Sequence, residues 1–138
     1  MLELRVTGLQ HLGVPVTDIA RSKVFYTRLG FHEVMATPLH TESGDIQVAM
    51  MKTGEFVLEL YQLPNKALVE ISTRGHGHID HFALDVDDIQ QVFDTVKAAG
   101  LVSLEREPVF VPFWDKGVFY FNIEGPDGEK IEFNQRLT

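Results

Sequence analysis

Cysteine is absent from this sequence. That excludes a disulfide framework, a cysteine-based zinc site and a cysteine nucleophile. Positive charge is scarce: 12 Lys and Arg stand against 20 Asp and Glu, a formal charge of −8 with a pI near 5.1. No basic patch emerges, so neither a nucleic-acid partner nor adhesion to an anionic membrane is expected. Long apolar runs are missing too, and nothing approaches the roughly 20 residues that span a bilayer. The opening MLELRVTG carries Glu3 and Arg5 and no apolar segment, so it does not read as a signal peptide. These absences point to a cytoplasmic domain in a reducing compartment. What is present is ordinary globular composition, with 44% hydrophobic and 23% charged residues over 138 positions. That length suits one domain, 1–138, with an adequate core.

Shifting the sequence by 70 residues overlays its start on its middle. His11 falls on His81, Val16 on Val86, Asp18 on Asp88, Ile19 on Ile89 and Gly30 on Gly100. The same order of strand, N-cap, helix and glycine stop recurs in both copies. In the first, HLGVPV (11–16) reads as a strand, Asp18 as the cap, 19–29 as a helix and Gly30 as its end. Strand-like runs follow at 31–39, 45–51 and 55–63, separated by Ser43-Gly44 and Thr53-Gly54. In the second, 79–86 is the strand and 88–99 the helix, stopped by Gly100. Further strands are expected near 102–111, 117–124 and 129–135, the last two joined by the turn Gly125-Pro126-Asp127-Gly128. Residues 64–77 read as a linker with one short helical turn. The expected fold is α+β, two tandem βαβββ modules (5–63 and 78–136) with eight strands and two main helices. They would form a cup-shaped mixed sheet with the helices outside.

Strand alternation separates the two faces of such a sheet. Leu12, Val14 and Val16 form one apolar set and Phe82, Leu84 and Val86 its counterpart, so His11 and His81 point to the opposite face. Phe56, Leu58 and Leu60 likewise leave Glu59 on the face of His11, beside Val57 and Tyr61. Ile131 and Phe133 leave Glu132 on the corresponding face, beside Lys130 and Asn134. Ala83 and Phe121 are expected to make that face partly apolar. Burying two carboxylates there is costly, and a divalent cation removes the cost. Two imidazoles and two carboxylates suit Zn²⁺, Ni²⁺, Co²⁺, Mn²⁺ or Fe²⁺, and the donor set alone does not choose among them. Taken singly, a His at a strand start or a Glu on a strand is more often structural or solvent-facing. The symmetric set of four carries the metal reading. His78, three residues before His81, is expected on the other face, and His32, His40 and His76 are read as surface or linker residues.

With these residues in view, the sequence resembles the vicinal oxygen chelate superfamily, which groups glyoxalases, bleomycin-resistance proteins and dioxygenases. The resemblance runs through HLGVPVTDIARSKVFYTRLGF, FVLELYQ, HIDHFALDVDDI and GPDGEKIEF. It implies a cup around one divalent ion, held at the matching positions His11, Glu59, His81 and Glu132. Extradiol dioxygenases have His where Glu59 stands, methylmalonyl-CoA epimerases typically Gln, and bleomycin-binding members usually lack the ligands. The set here looks most like bacterial glyoxalase I, for which Zn²⁺ or Ni²⁺ is the expected ion. The implied activity is a lyase or isomerase acting on a small hemithioacetal-like substrate through a metal-stabilised enediolate. Glu132 would carry the proton, with Glu59 as its counterpart. Tyr61, Trp114, Phe119 and Phe121 are candidates for lining the substrate pocket. The alternative is a small-molecule-binding or antibiotic-resistance protein of the bleomycin or fosfomycin type. A homodimer is also implied. Glutathione-using relatives usually carry Arg four residues after the first metal His and Asn four residues after the first metal Glu. Pro15 and Leu63 stand there, so a smaller or less charged adduct is expected.

Overall fold

The two helices that follow the repeated strands begin in the same way. Asp18 accepts a hydrogen bond from the Arg21 amide at 2.9 Å, and Asp88 accepts one from the Gln91 amide at 3.0 Å. A glutamine from a later strand completes each cap. The Ile19 amide donates to Gln62 Oε1 at 2.9 Å, and the Ile89 amide to Gln135 Oε1 at 3.0 Å. Each helix then stops at a glycine in left-handed backbone, Gly30 with φ 94° and Gly100 with φ 75°.

The computed structural model describes residues 1–124 and 130–138. The expected turn at 125–128 lies outside the described residues. The elements in chain order are β1 (Val6–Pro15), α1 (Ile19–Arg28), β2 (His32–Thr41), β3 (Gly44–Thr53), β4 (Phe56–Gln62) and α2 (Asn65–Thr73). Then come β5 (His81–Val86), α3 (Ile89–Ala98), β6 (Val109–Val111), β7 (Val118–Glu124) and β8 (Lys130–Arg136). This is the expected α+β arrangement of two βαβββ modules with mixed strand pairing.

The chain divides into two units, His11–Asp80 and Met1–Gln10 with His81–Thr138. In the first, the strands are ordered β2-β3-β4-β1. β1 and β4 are parallel, with Gly13 opposite Glu59, while the other pairs are antiparallel. Its core joins Val14, Met51, Leu58 and Leu60, flanked by Ile19, Tyr26 and Phe31. In the second, β5, β8, β7 and β6 follow in order. β5 and β8 are parallel, with Ala83 opposite Glu132. Ile89, Val92, Phe93 and Val96 of α3 pack there against Phe121, Ile123 and Phe133.

Four expectations are corrected. β1 begins at Val6 rather than 11, because Thr7 and Gln10 tie its first half to Asp85 and Asn134 through side-chain hydrogen bonds. The expected linker contains a third helix, α2, nine residues long. It buries Ile71 and carries a Glu70–Arg74 pair one turn apart at 2.8 Å. The strand expected over 102–111 shrinks to Val109–Val111, with one isolated bridge at Ser103. Pro108 cannot donate to a ladder, and the Glu105 carboxylate is turned onto Asn122 instead. Finally, Phe56 is 40% exposed, although Leu58 and Leu60 are buried as the alternation required.

Candidate metal centre

Parallel pairing of β1 with β4 puts Glu59 opposite Gly13, two residues beyond His11 and so on the same face as that histidine. Parallel pairing of β5 with β8 puts Glu132 opposite Ala83, two residues beyond His81. The two modules thus use one register. A residue with little or no side chain stands directly opposite each glutamate, leaving space for the carboxylate to lean back toward the imidazole. In the first unit His11 Nε2 lies 3.2 Å from Glu59 Oε2. In the second His81 Nε2 lies 3.4 Å from Glu132 Oε2. The spacing from histidine to histidine is 70 residues and from glutamate to glutamate 73, the difference being absorbed in the stretch after the helix.

His11, His81 and Glu132 are buried and Glu59 is half-buried. Glu132 is further oriented by its own strand. Asn134 Nδ2 donates to Glu132 Oε1 at 2.7 Å, and Asn134 Oδ1 accepts from Gln10 Nε2, also at 2.7 Å. Gln10 donates in addition to Asp85 Oδ1 at 3.0 Å. This Asp85–Gln10–Asn134–Glu132 chain fixes which carboxylate oxygen turns to His81, as partners of a ligand do in metal sites. Sequence reading put Asn134 on the correct face but did not find its role. The signal was the spacing Glu132-x-Asn134, two residues apart on one strand face.

The substrate-pocket candidates separate. Tyr61 shares the face of Glu59 and is half-buried. Burial pushes its hydroxyl pKa far above the ordinary tyrosine value, reinforced by the Asp80 carboxylate to which it donates. Trp114 stands in left-handed backbone (φ 62°) with the Arg136 guanidinium 4.4 Å from its ring centroid. Phe119 and Phe121 lie on the α3 side of their strand. Phe121 is fully buried, edge-on to Phe93 at 5.0 Å and stacked on Phe133 at 5.1 Å. Its register partner is Phe133, so Phe121 faces away from Glu132, contrary to its expected place. Tyr120 and Asn122 of β7 lie on the side of Glu132, and sequence reading passed over both. Asn122 is 6% exposed, and its Nδ2 is held by Glu105 at 2.9 Å. Its Oδ1 is buried and, among the described residues, has no hydrogen-bond partner.

The other histidines stand apart. His32 and His76 are exposed, and His40 pairs with Asp45 at 2.8 Å on the surface. His78 precedes β5 rather than lying on it, so strand alternation does not govern where it points. Its Nε2–H donates to the Arg74 carbonyl at 3.2 Å.

Residues 8–133 match the family model of the Glyoxalase/Bleomycin resistance protein/Dioxygenase superfamily. The chain belongs to this superfamily. Among its relatives, the uncharacterized protein YwbC of Bacillus subtilis (strain 168) is 33% identical over 131 residues, covering 93% of this chain and 97% of that protein. The crystal structure of methylmalonyl-CoA epimerase from Mycobacterium tuberculosis superposes with a TM-score of 0.82 at 20% identity, covering 100% of this chain and 94% of that one. A variant of Streptomyces coelicolor methylmalonyl-CoA epimerase, in complex with 2-nitronate-propionyl-CoA, gives 0.79 at 19% identity, covering 96% and 99%. At these identities the structural likeness establishes the superfamily fold. No helix among the described residues is long and apolar enough to cross a membrane.

Proposed function

We propose that this protein is a metal-dependent enzyme of glyoxalase I type, moving a proton between neighbouring carbons of a small substrate with two adjacent oxygens. The observation that carries the reading is the pair of equivalent His–Glu contacts, one per module, with largely buried carboxylates. Imidazole nitrogens and carboxylate oxygens fit a borderline divalent ion, Zn²⁺ or Ni²⁺ before Co²⁺, Mn²⁺ or Fe²⁺. His11, Glu59, His81 and Glu132 would hold it. Bound there, such an ion supplies Lewis acidity toward the substrate oxygens and so acidifies the adjacent carbon.

The chain's own residues do the remaining work. With Oε1 engaged by Asn134, Oε2 is both the oxygen that faces His81 and the one that would take the proton, so Glu132 would have to release the ion to accept it. It returns the proton to the neighbouring carbon, and Glu59 stands equivalently for the opposite hand of substrate. Pro15 and Leu63 offer no polar side chain to glutathione, so the thiol adduct is proposed to be smaller or less charged. The working form is proposed to be a homodimer.

A second reading keeps the proton transfer and changes the substrate. The methylmalonyl-CoA epimerases among its structural neighbours favour an acyl thioester epimerase. Chelated protein titrated with Zn²⁺ or Ni²⁺ is expected to bind about one ion per chain. His81→Ala should abolish most of that binding and His78→Ala leave it unchanged. The loaded enzyme should then isomerise methylglyoxal adducts of small thiols faster than the glutathione adduct. Solvent deuterium entering an acyl-CoA with no hemithioacetal turnover would move the assignment to epimerisation. Refusal of metal by the wild type would end both readings in favour of a sequestering protein.

A further inference from the structure

Outside the His–Glu pairs, the unit His11–Asp80 contains a concavity of about 490 Å³, between the end of β1, α1, Ile71 of α2 and the segment that follows it. That volume falls within the roughly 300–1,000 Å³ of small-molecule sites. Its walls are of two kinds. Val14, Pro15, Val16, Phe25, Tyr26 and Ile71 supply an apolar, partly aromatic wall, and neither His11 nor Glu59 lines it. Thr17, Arg21, Ser22 and His78 supply a polar one. The polar wall carries no acid. Asp18, the nearest carboxylate in sequence, is engaged by the Arg21 amide as the helix cap. The Arg21 guanidinium donates to Thr17 Oγ1 at 2.9 Å and, among the described residues, meets no carboxylate. Arg74, by contrast, is neutralised by a two-pronged bond to Glu70 at 2.8 and 2.9 Å.

Several cations meet no carboxylate among the described residues, and Arg21 is the one of them that lines this cavity. Thr17 holds one edge of the guanidinium in place, which lowers the entropic cost of presenting the rest to a planar carboxylate. One turn further along α1, on the same face as Arg21, Phe25 remains 54% exposed, where an apolar body would cover it.

We infer that this cavity is a binding site for a small carboxylate bearing an aromatic or branched apolar body, separate from the His–Glu pairs. The carboxylate meets Arg21, with the Ser22 hydroxyl as a further donor, and the apolar body lies between Phe25, Tyr26 and Ile71. Phenylacetate is the probe, titrated into amide-labelled full-length protein, once metal-free and once loaded with Zn²⁺. Saturable shifts are expected at Ser22, Phe25, Ile71 and His78 in both states. Arg21→Gln should weaken binding about tenfold or more, as loss of a charge-assisted hydrogen bond does, and Arg21→Lys should recover part of it. Phe25→Ala should weaken it through the apolar wall alone. Phenylacetamide, equal in shape but uncharged, should bind at least tenfold more weakly. Phenyl phosphate binding more tightly than phenylacetate would overturn the carboxylate assignment. The site itself is overturned if Arg21→Gln binds as wild type, if the amide and acid bind alike, or if the shifts track His11 and His81 instead. Because the site is tested in the metal-free state, its failure and that of the metal reading are distinguishable.

Discussion

Helices α1 and α3 occupy the same place in the two modules, and their ends are built alike down to the Asp cap, the Gln from the last strand of the module and the Gly stop. Their faces have diverged. α3 buries Ile89, Val92, Phe93 and Val96, whereas α1 buries no residue and leaves Val24, Phe25 and Leu29 between 54% and 65% exposed. The duplicated frame therefore separates two properties. Caps and strand register fix where the His and Glu side chains stand, while the apolar stripe fixes how strongly each helix is anchored. The first module keeps the register with little anchoring, which leaves α1 free to wall a cavity.

The comparison breaks most readily in the core. Phe93→Ala removes a side chain packed edge-on to Phe121, and a cost of about 3–5 kcal/mol is expected in denaturant unfolding. Val24→Ala on α1 should stay within about 0.5 kcal/mol of wild type, because that side chain is 65% exposed. Equal losses would mean that α1 is anchored after all.

A smaller effect is expected at the oriented glutamate. Asn134→Leu removes the donor to Glu132 Oε1 and the acceptor for Gln10, which keeps its bond to Asp85, at little change in volume. Metal affinity should fall about 10–100-fold, the usual loss when a partner of a ligand is removed. That is roughly 1.4–2.7 kcal/mol. Proton transfer can be read separately. Glu132→Gln, compared per bound ion, should lose at least about a hundredfold in rate, because an amide cannot take up the proton. The loss from Glu59→Gln should depend on the hand of the substrate. Isothermal titration with Zn²⁺ and single-turnover kinetics give the two quantities.

Much of this was legible from the chain. His11/His81, Asp18/Asp88 and Gly30/Gly100 mark the repeat because each residue type answers a local demand, at a strand face, a cap or a left-handed turn. Glu59 was placed with His11, and Glu132 with His81, because period-2 alternation holds on strands with a clear apolar face. The same rule failed on β7, where VFYFNI is apolar on both sides and gives no phase. Phe121 went to the wrong face and Asn122 was overlooked for that reason. α2 was missed because its start lacks a capping side chain and Asn65 enters with φ 56°. The tie from Gln10 to Asn134 joins residues 124 apart, and no local pattern announces it.

The smallest expected effect concerns Tyr61, whose titration is strongly displaced upward by burial and by Asp80. A hydroxyl whose folded pKa exceeds its unfolded value of 10.0 stabilises the fold fully below that pH, and the stabilisation is lost as pH rises above it. Between pH 6 and pH 9 the contribution is therefore flat, and Tyr61→Phe should cost about 1 kcal/mol through the lost bond to Asp80. Above pH ~10 wild-type stability should decline as the unfolded tyrosine ionises and the folded one does not. The Phe variant lacks this decline, so the gap between the two proteins should narrow with increasing pH. Urea unfolding at pH 8, 10 and 11 measures it. A gap that stays constant across the series would show that the Tyr61 hydroxyl titrates alike in both states, and that its burial beside Asp80 carries no linkage.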